Sequence, residues 1–147
     1  RVLCKGGKLS ALTIWQGVEE RMRSVEGLRT ILLGEPSSVH DMPALYGAYE
    51  AFEHPLKNVP PSRSTVSGMT HTYTLRLVIQ WVDNAQAEMQ LITLLDAIPL
   101  AIDADPKLGG RVSSGMAFCP RGQAGFAKIG DVFHRIVDYT ITVLEKT

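Results

Sequence analysis

The chain has 147 residues, a length that fits one domain and can bury roughly 70% of the unfolded surface without a disulfide or metal staple. Fifteen Lys and Arg balance fifteen Asp and Glu, so the zero net charge argues against bulk attraction to nucleic acid or an anionic membrane. The hydrophobic content of 45% is that of an ordinary globular protein.

Cys4 and Cys119 are the only cysteines. Two so far apart make neither a disulfide framework nor a zinc knuckle, and a reducing compartment is the simplest context. No secretory apolar core opens the chain, and no run of ~18 apolar residues spans a bilayer. Residues 1–9 read as a flexible arm, and residues 10–147 as one α+β domain.

From Ser10 a helix is expected, because Leu12, Trp15, Val18, Met22 and Val25 recur at three- and four-residue steps. Ser10 or Thr13 can cap it, and Gly27 can stop it. Leu28 to Leu33 reads as a short buried strand. Leu45 to Phe52, with Tyr46, Tyr49 and Phe52, reads as another. Pro55 to Thr70 is rich in Pro, Ser and Thr and reads as a long loop between strands. Loops beyond about 12–15 residues are uncommon and often functional. This one carries Lys57, Val59, Arg63, Val66 and Met69. The apolar members suit a contact with an adjoining subunit, while an exposed, insertion-tolerant loop is the equal alternative.

Thr72 to Val82 is the clearest strand. Tyr73, Leu75, Leu77, Ile79 and Trp81 alternate with Thr74, Arg76, Val78 and Gln80. Asp83 or Asn84 then caps a second helix with Met89, Leu91, Ile92, Leu95, Ile98 and Ile102 on its apolar face. Pro99 is a difficulty there, since it removes a hydrogen bond, and a break near Ala97 is expected. Arg111 to Phe118 and Gln123 to Ile129 read as strands separated by a hairpin-like loop at Pro120-Arg121-Gly122, with Arg121 a further candidate contact. Phe133 to Leu144 closes the chain as a long strand, with Phe133, Val137, Tyr139, Ile141 and Val143 facing one way. The order predicts an α+β fold: a mainly antiparallel sheet with two principal helices packed on one face.

Charge is segregated along the chain. Only bases lie between Glu53 and Asp83, only acids between Arg76 and Lys107, and only bases between Asp105 and Asp131. Such blocks either make one face of a subunit complementary to its neighbour or are chance on a solvated surface. Catalytic signatures are missing. His40, His54, His71 and His134 are scattered without metal-ligand spacing, no nucleophile motif accompanies His40-Asp41, and glycine-rich phosphate loops are absent. Asp103 and Asp105 lack the loop that binds calcium and fit turn chemistry instead. Lys57, Arg63, Arg111 and Arg121 can touch phosphates or a partner's acids, but nothing marks sequence recognition of DNA. The expectation is a protein with no catalytic, metal or cofactor site.

The most specific stretch runs from Asp103 to Gly110. Asp105-Pro106 starts a turn, Leu108 follows, and Gly109-Gly110 supplies backbone freedom where positive φ is expected. A helix ending in Asp-Pro-Lys-Leu-Gly-Gly resembles the corresponding segment of the bacteriophage tail terminator (tail completion) family, which includes the lambda-type terminator. The resemblance covers the chain from about Ser10 onward. Its other parts are the helix Leu12 to Val25 leading into Leu28 to Leu33, the segment Met42-Pro43-Ala44-Leu45-Tyr46 before a long loop, and the strand Tyr73 to Trp81 leading into a helix. Pro99 and the aromatic cluster Leu45 to Phe52 depart from it.

The resemblance implies a structural virion protein that performs no reaction. Its subunits form a ring, typically a hexamer, on the last ring of the tail tube. The ring ends tube polymerisation and offers its other face to head-side neck or connector proteins, while DNA passes through the lumen without sequence recognition. Partners are then itself and those proteins, with no membrane. The location is the virion, after assembly in the host cytoplasm. A neck or head-completion protein is the alternative within this class. A small-molecule-binding or enzymatic α+β domain is the alternative outside it.

Overall fold

The computed structural model describes residues 11–53, 68–112 and 115–146. The expected N-terminal arm lies outside the described residues, as do Lys57, Val59, Arg63 and Val66.

Helix α1 spans Ala11–Arg23 and buries Ile14, Trp15, Val18 and Met22. Leu12, expected on that face, is 58% exposed. Thr13 lies inside the helix and is not its cap, while Ser10 falls outside the described residues. Gly27 turns the chain with φ +99°. Strand β1 is then only Thr30–Leu33, and its Leu32 and Leu33 are exposed. The buried strand expected at Leu28 to Leu33 is thus an edge strand with one neighbour, β2. Strand β2 (Ala44–Glu53) pairs parallel with β1 and antiparallel with β3 (Gly68–Ile79). Gly68, Met69 and Thr70 therefore belong to a strand, not to the expected loop. The reason is register: Glu53 pairs with Thr70, and Met69 with Glu145 on the far side.

Helix α2 (Asn84–Leu95) starts at Asp83, whose carboxylate accepts from the Ala85 N–H at 3.1 Å. Ala87, Leu91 and Leu94 face inward, whereas Met89 and Ile92, expected on the apolar face, are exposed. The expected break falls at Asp96, and α3 follows as Ala97–Ala104. Pro99 thereby sits in the first turn of α3, where its missing N–H costs least.

Strand β4 (Met116–Ile129) and strand β5 (Val132–Lys146) form the last hairpin. No hairpin turn exists at Pro120-Arg121-Gly122. One strand runs through it with a bulge between Phe118 and Arg121, and the turn lies at Gly130-Asp131. Pro120 is accommodated because β4 is an edge strand and the bulge needs no ladder donor there. The strand expected from Arg111 begins only at Met116. Phe133, expected to face inward with Val137, is 55% exposed.

The five strands take the order β1-β2-β3-β5-β4, antiparallel except for β1–β2. This is an α+β fold with the helices on one face. Tyr73, Leu75, Leu77 and Ile79 of β3, with Val137, Tyr139, Ile141 and Val143 of β5, meet Ile14, Trp15, Val18, Leu91, Ile98 and Ile102 in the main core. The alternation of period two puts these residues on one side. Trp15 lies against Gly47 of β2, where a Cβ would collide with the indole ring. On the opposite face Tyr46, Val78, Ile129 and Ile136 form a smaller cluster with Val39 and Met42 from the β1–β2 connection.

Candidate subunit interface

The turn after α3 is held by its own side chains. The Asp105 carboxylate accepts from the Gly109 N–H at 2.8 Å, and the Gly110 and Val112 N–H groups both donate to the Lys107 carbonyl at 3.0 Å. Gly109 and Gly110 have φ +70° and +89°. Leu108 is also left-handed, with φ +52°, a strain held by its full burial against Gly17 of α1. Arg111 reaches back to Glu20 of α1 at 2.9 Å. The Pro106 carbonyl accepts from the Ala117 N–H at 2.8 Å and so aims β4. Asp105, Pro106, Leu108, Gly109 and Gly110 therefore come together as one unit that joins α3, α1 and β4.

The candidate contact residues within the described range do not come together. Met69 is half-buried and shares its side of β3 with His71 and Tyr73, on the helix side. Arg121 is exposed on β4 opposite Thr140, on the other side.

That second side is polar along its middle. Thr72 pairs with Thr142 and Thr74 with Thr140. Arg76 forms a bidentate pair with Asp138 at 2.7 and 3.0 Å and donates to the Tyr46 hydroxyl at 3.2 Å. The Asp138 carboxylate raises the Arg76 pKa, so this cation's charge is balanced within the chain.

Three surfaces went unrecognised in the sequence. Trp81 and Phe126 pack at a tilt of 56° with centroids 4.8 Å apart, and Phe133 completes an exposed aromatic patch with them. Arg135 lies 4.6 Å from the Phe126 centroid and pairs with Glu88 of α2, holding that carboxyl below its usual range. A shallow cleft beside β1 is lined by Arg23, Leu28, Arg29 and Ile31. The third surface is the outer side of α3, where Asp96, Leu100 and Asp103 are exposed. Their spacing of four and three residues was legible as one helical face. The cleft was not, because it depends on how the Gly27 turn folds β1 beside the end of α1.

Chemistry-bearing groups stay dispersed. Among the described residues no three His, Cys, Asp or Glu side chains gather as metal ligands would. Burial pushes the Cys119 thiol up to about 11, so it is protonated at neutral pH and is not an activated nucleophile. His71 is buried with its Nδ1 at 2.8 Å from the Tyr49 hydroxyl, and His134 is buried with an unpartnered Nδ1.

No family model matches the sequence, and no curated protein matches it. One solved structure shares its fold. The sheath/tube terminator of an extracellular contractile injection system (PVC), in its extended state, superposes with a TM-score of 0.53 at 9% identity. The match covers 94% of this chain and 57% of that one, so the chain spans a little over half of that protein's length. A chain in the virion of a native gene transfer agent particle matches with a TM-score of 0.43 at 12% identity, covering 95% of this chain and 96% of that one. At 9% identity the property shared with the sheath/tube terminator is the fold alone.

Proposed function

We propose that this chain is a structural virion protein of a phage-like tail, a terminator that caps the tail tube. The observation that carries the reading is the fold it shares, over 94% of its length, with a sheath/tube terminator. The Asp-Pro-Lys-Leu-Gly-Gly turn, which led to the same family from sequence, supports it. Residues 10–147 act as one folded unit. Copies join head to tail into a closed ring, with a hexamer as the expected number. The ring covers the last tube ring, ends polymerisation, and offers its other face to a head-side neck or connector protein. DNA passes through the lumen unread. The protein makes and breaks no bond, and its work is to occupy a growing end. It acts within the virion and assembles in the host cytoplasm.

Lys57, Val59, Arg63, Val66, Met69 and Arg121 are proposed contacts to a neighbouring subunit or the tube. Imaging of tails made without this protein should show tubes of uncontrolled length, and added protein should restore a sharp length and a ring at one end. Tails of normal length without it would overturn the reading. Deleting Ser62 to Ser67 should lower infectious titre, and a normal titre would remove the loop from the joint.

A further inference from the structure

Among the described residues, Trp81, Phe126 and Phe133 line an apolar hollow of about 320 Å³. All three rings are exposed, and each is held in place. The Trp81 indole N–H donates to the Asn84 side chain, the Arg135 guanidinium lies 4.6 Å from the Phe126 centroid, and the Lys128 ammonium lies 5.9 Å from the Phe133 centroid. Rings fixed in advance lose little freedom when something docks on them. Aromatic-lined hollows of this kind suit proline-containing segments, whose extended backbone is already set and whose carbonyls need donors from the partner. Lys128 offers such donors, because it is exposed and has no carboxylate partner among the described residues. Two exposed acids stand at the rim, Asp83 two residues after Trp81 and Asp131 two residues before Phe133.

The chain contains one pair of adjacent prolines, in Lys57-Asn58-Val59-Pro60-Pro61-Ser62-Arg63. An apolar residue precedes the pair, a base stands on either side, and no acid occurs between Glu53 and Asp83. That composition is complementary to an aromatic hollow with an acidic rim. Chain length decides which copy supplies it. Glu53 pairs with Thr70, whereas Phe126 pairs with Arg135 and Arg135 with Ile79. The segment is therefore tethered at one end of β3 and the hollow lies at the other, about 35 Å away at the rise of a strand. Pro60 is seven residues from Glu53 and Pro61 seven from Gly68. Fully extended, that length reaches about 25 Å. The prolines cannot enter the hollow of their own copy.

We propose that Val59-Pro60-Pro61 of one copy docks in the Trp81–Phe126–Phe133 hollow of another, with Lys57 and Arg63 against Asp83 and Asp131. This names the seat of the proposed loop contact and rests on the ring reading.

The test compares the mass of the full-length protein by sedimentation across a concentration series for three forms: wild type, the loop variant Pro60→Ser with Pro61→Ser, and the hollow variant Phe133→Ser. Each variant should self-associate at least about tenfold more weakly. Mixed in equal amounts, they should form pairs and nothing larger, because only the loop of the hollow variant finds an intact hollow. A synthetic peptide of residues 54–67 should bind the loop variant saturably and shift the fluorescence of the exposed Trp81, and Phe133→Ser introduced into the loop variant should abolish that shift. If Phe133→Ser lowers the melting temperature, Asp131→Lys at the exposed turn carries the same comparisons. Wild-type association that neither variant weakens, or a peptide that does not bind, would overturn this contact and leave the ring reading standing. A wild type that stays monomeric, both alone and with tail tubes, would overturn the ring itself. A loop variant that self-associates normally but cannot join tails would assign the segment to the tube and overturn the proposal.

Discussion

The hydroxyl of Tyr139 donates to the carbonyl of Leu95 at 2.7 Å. That carbonyl is the one an unbroken helix would offer to the N–H of residue 99, which is Pro99 and has none. The ladder resumes one residue later, where the Leu100 N–H donates to the Asp96 carbonyl at 3.1 Å. A strand side chain therefore replaces one missing helical rung. Burial raises the Tyr139 pKa, so the donor keeps its proton throughout the neutral range.

Tyr139→Phe should cost about 1 kcal/mol in denaturant unfolding, because it strands a part-buried acceptor. In a Pro99→Ala background the loss should shrink, since alanine supplies the N–H that proline lacks. Equal losses in both backgrounds would contradict the replacement.

Gly110→Val should lower stability by more than about 1 kcal/mol. No heavy atom lies within 4 Å of a Cβ placed there, so the penalty comes from φ +89° alone. An unchanged thermal midpoint would remove the strain argument for this turn.

Gly47→Ala should cost about 1–3 kcal/mol by overpacking. The added methyl would strike the Trp15 ring and lie 2.9 Å from Leu75 Cδ2. A weaker near-ultraviolet circular dichroism signal should accompany the loss as Trp15 shifts. A variant with wild-type stability and spectrum would show that the indole has room to move.

His134 is 3% exposed and its Nδ1 has no partner, so desolvation lowers its pKa below the ordinary ~6.5. The fold holds the neutral ring. Its contribution is complete above the unfolded pKa and is lost as pH falls from ~6.5 through the lowered folded value. Unfolding curves should show the wild type losing stability from pH 7.5 to pH 5 by more than His134→Leu does. Parallel losses in the two proteins would assign the acid sensitivity to other groups.

Much of the architecture was legible in period. Tyr73, Leu75, Leu77 and Ile79 alternate because one side of β3 is buried under helices, and the core contains all four. The break near Ala97 followed from Pro99 alone. Errors arose where an apolar residue is no evidence of burial: Leu12, Met89, Ile92 and Leu33 are exposed in this chain. Pro120 misled because proline marks both a hairpin loop and a bulge on an edge, and only the sheet order separates them. At the turn, Gly109 and Gly110 announced positive φ, but nothing in the sequence distinguishes a left-handed leucine, which is held at Leu108 by tertiary burial. The cleft at Arg23 and Arg29 was invisible for a similar reason, since it exists only once two elements are placed side by side.

Both rims of the sheet are poor templates for an incoming strand. The β1 rim is four residues long, and the β4 rim carries Pro120 and a bulge between Phe118 and Arg121. Short rims, prolines and bulges all discourage backbone pairing between molecules. Copies of this chain are thereby discouraged from running together into fibres. The edges thus leave side chains, not backbone pairing, as what the chain offers to another molecule.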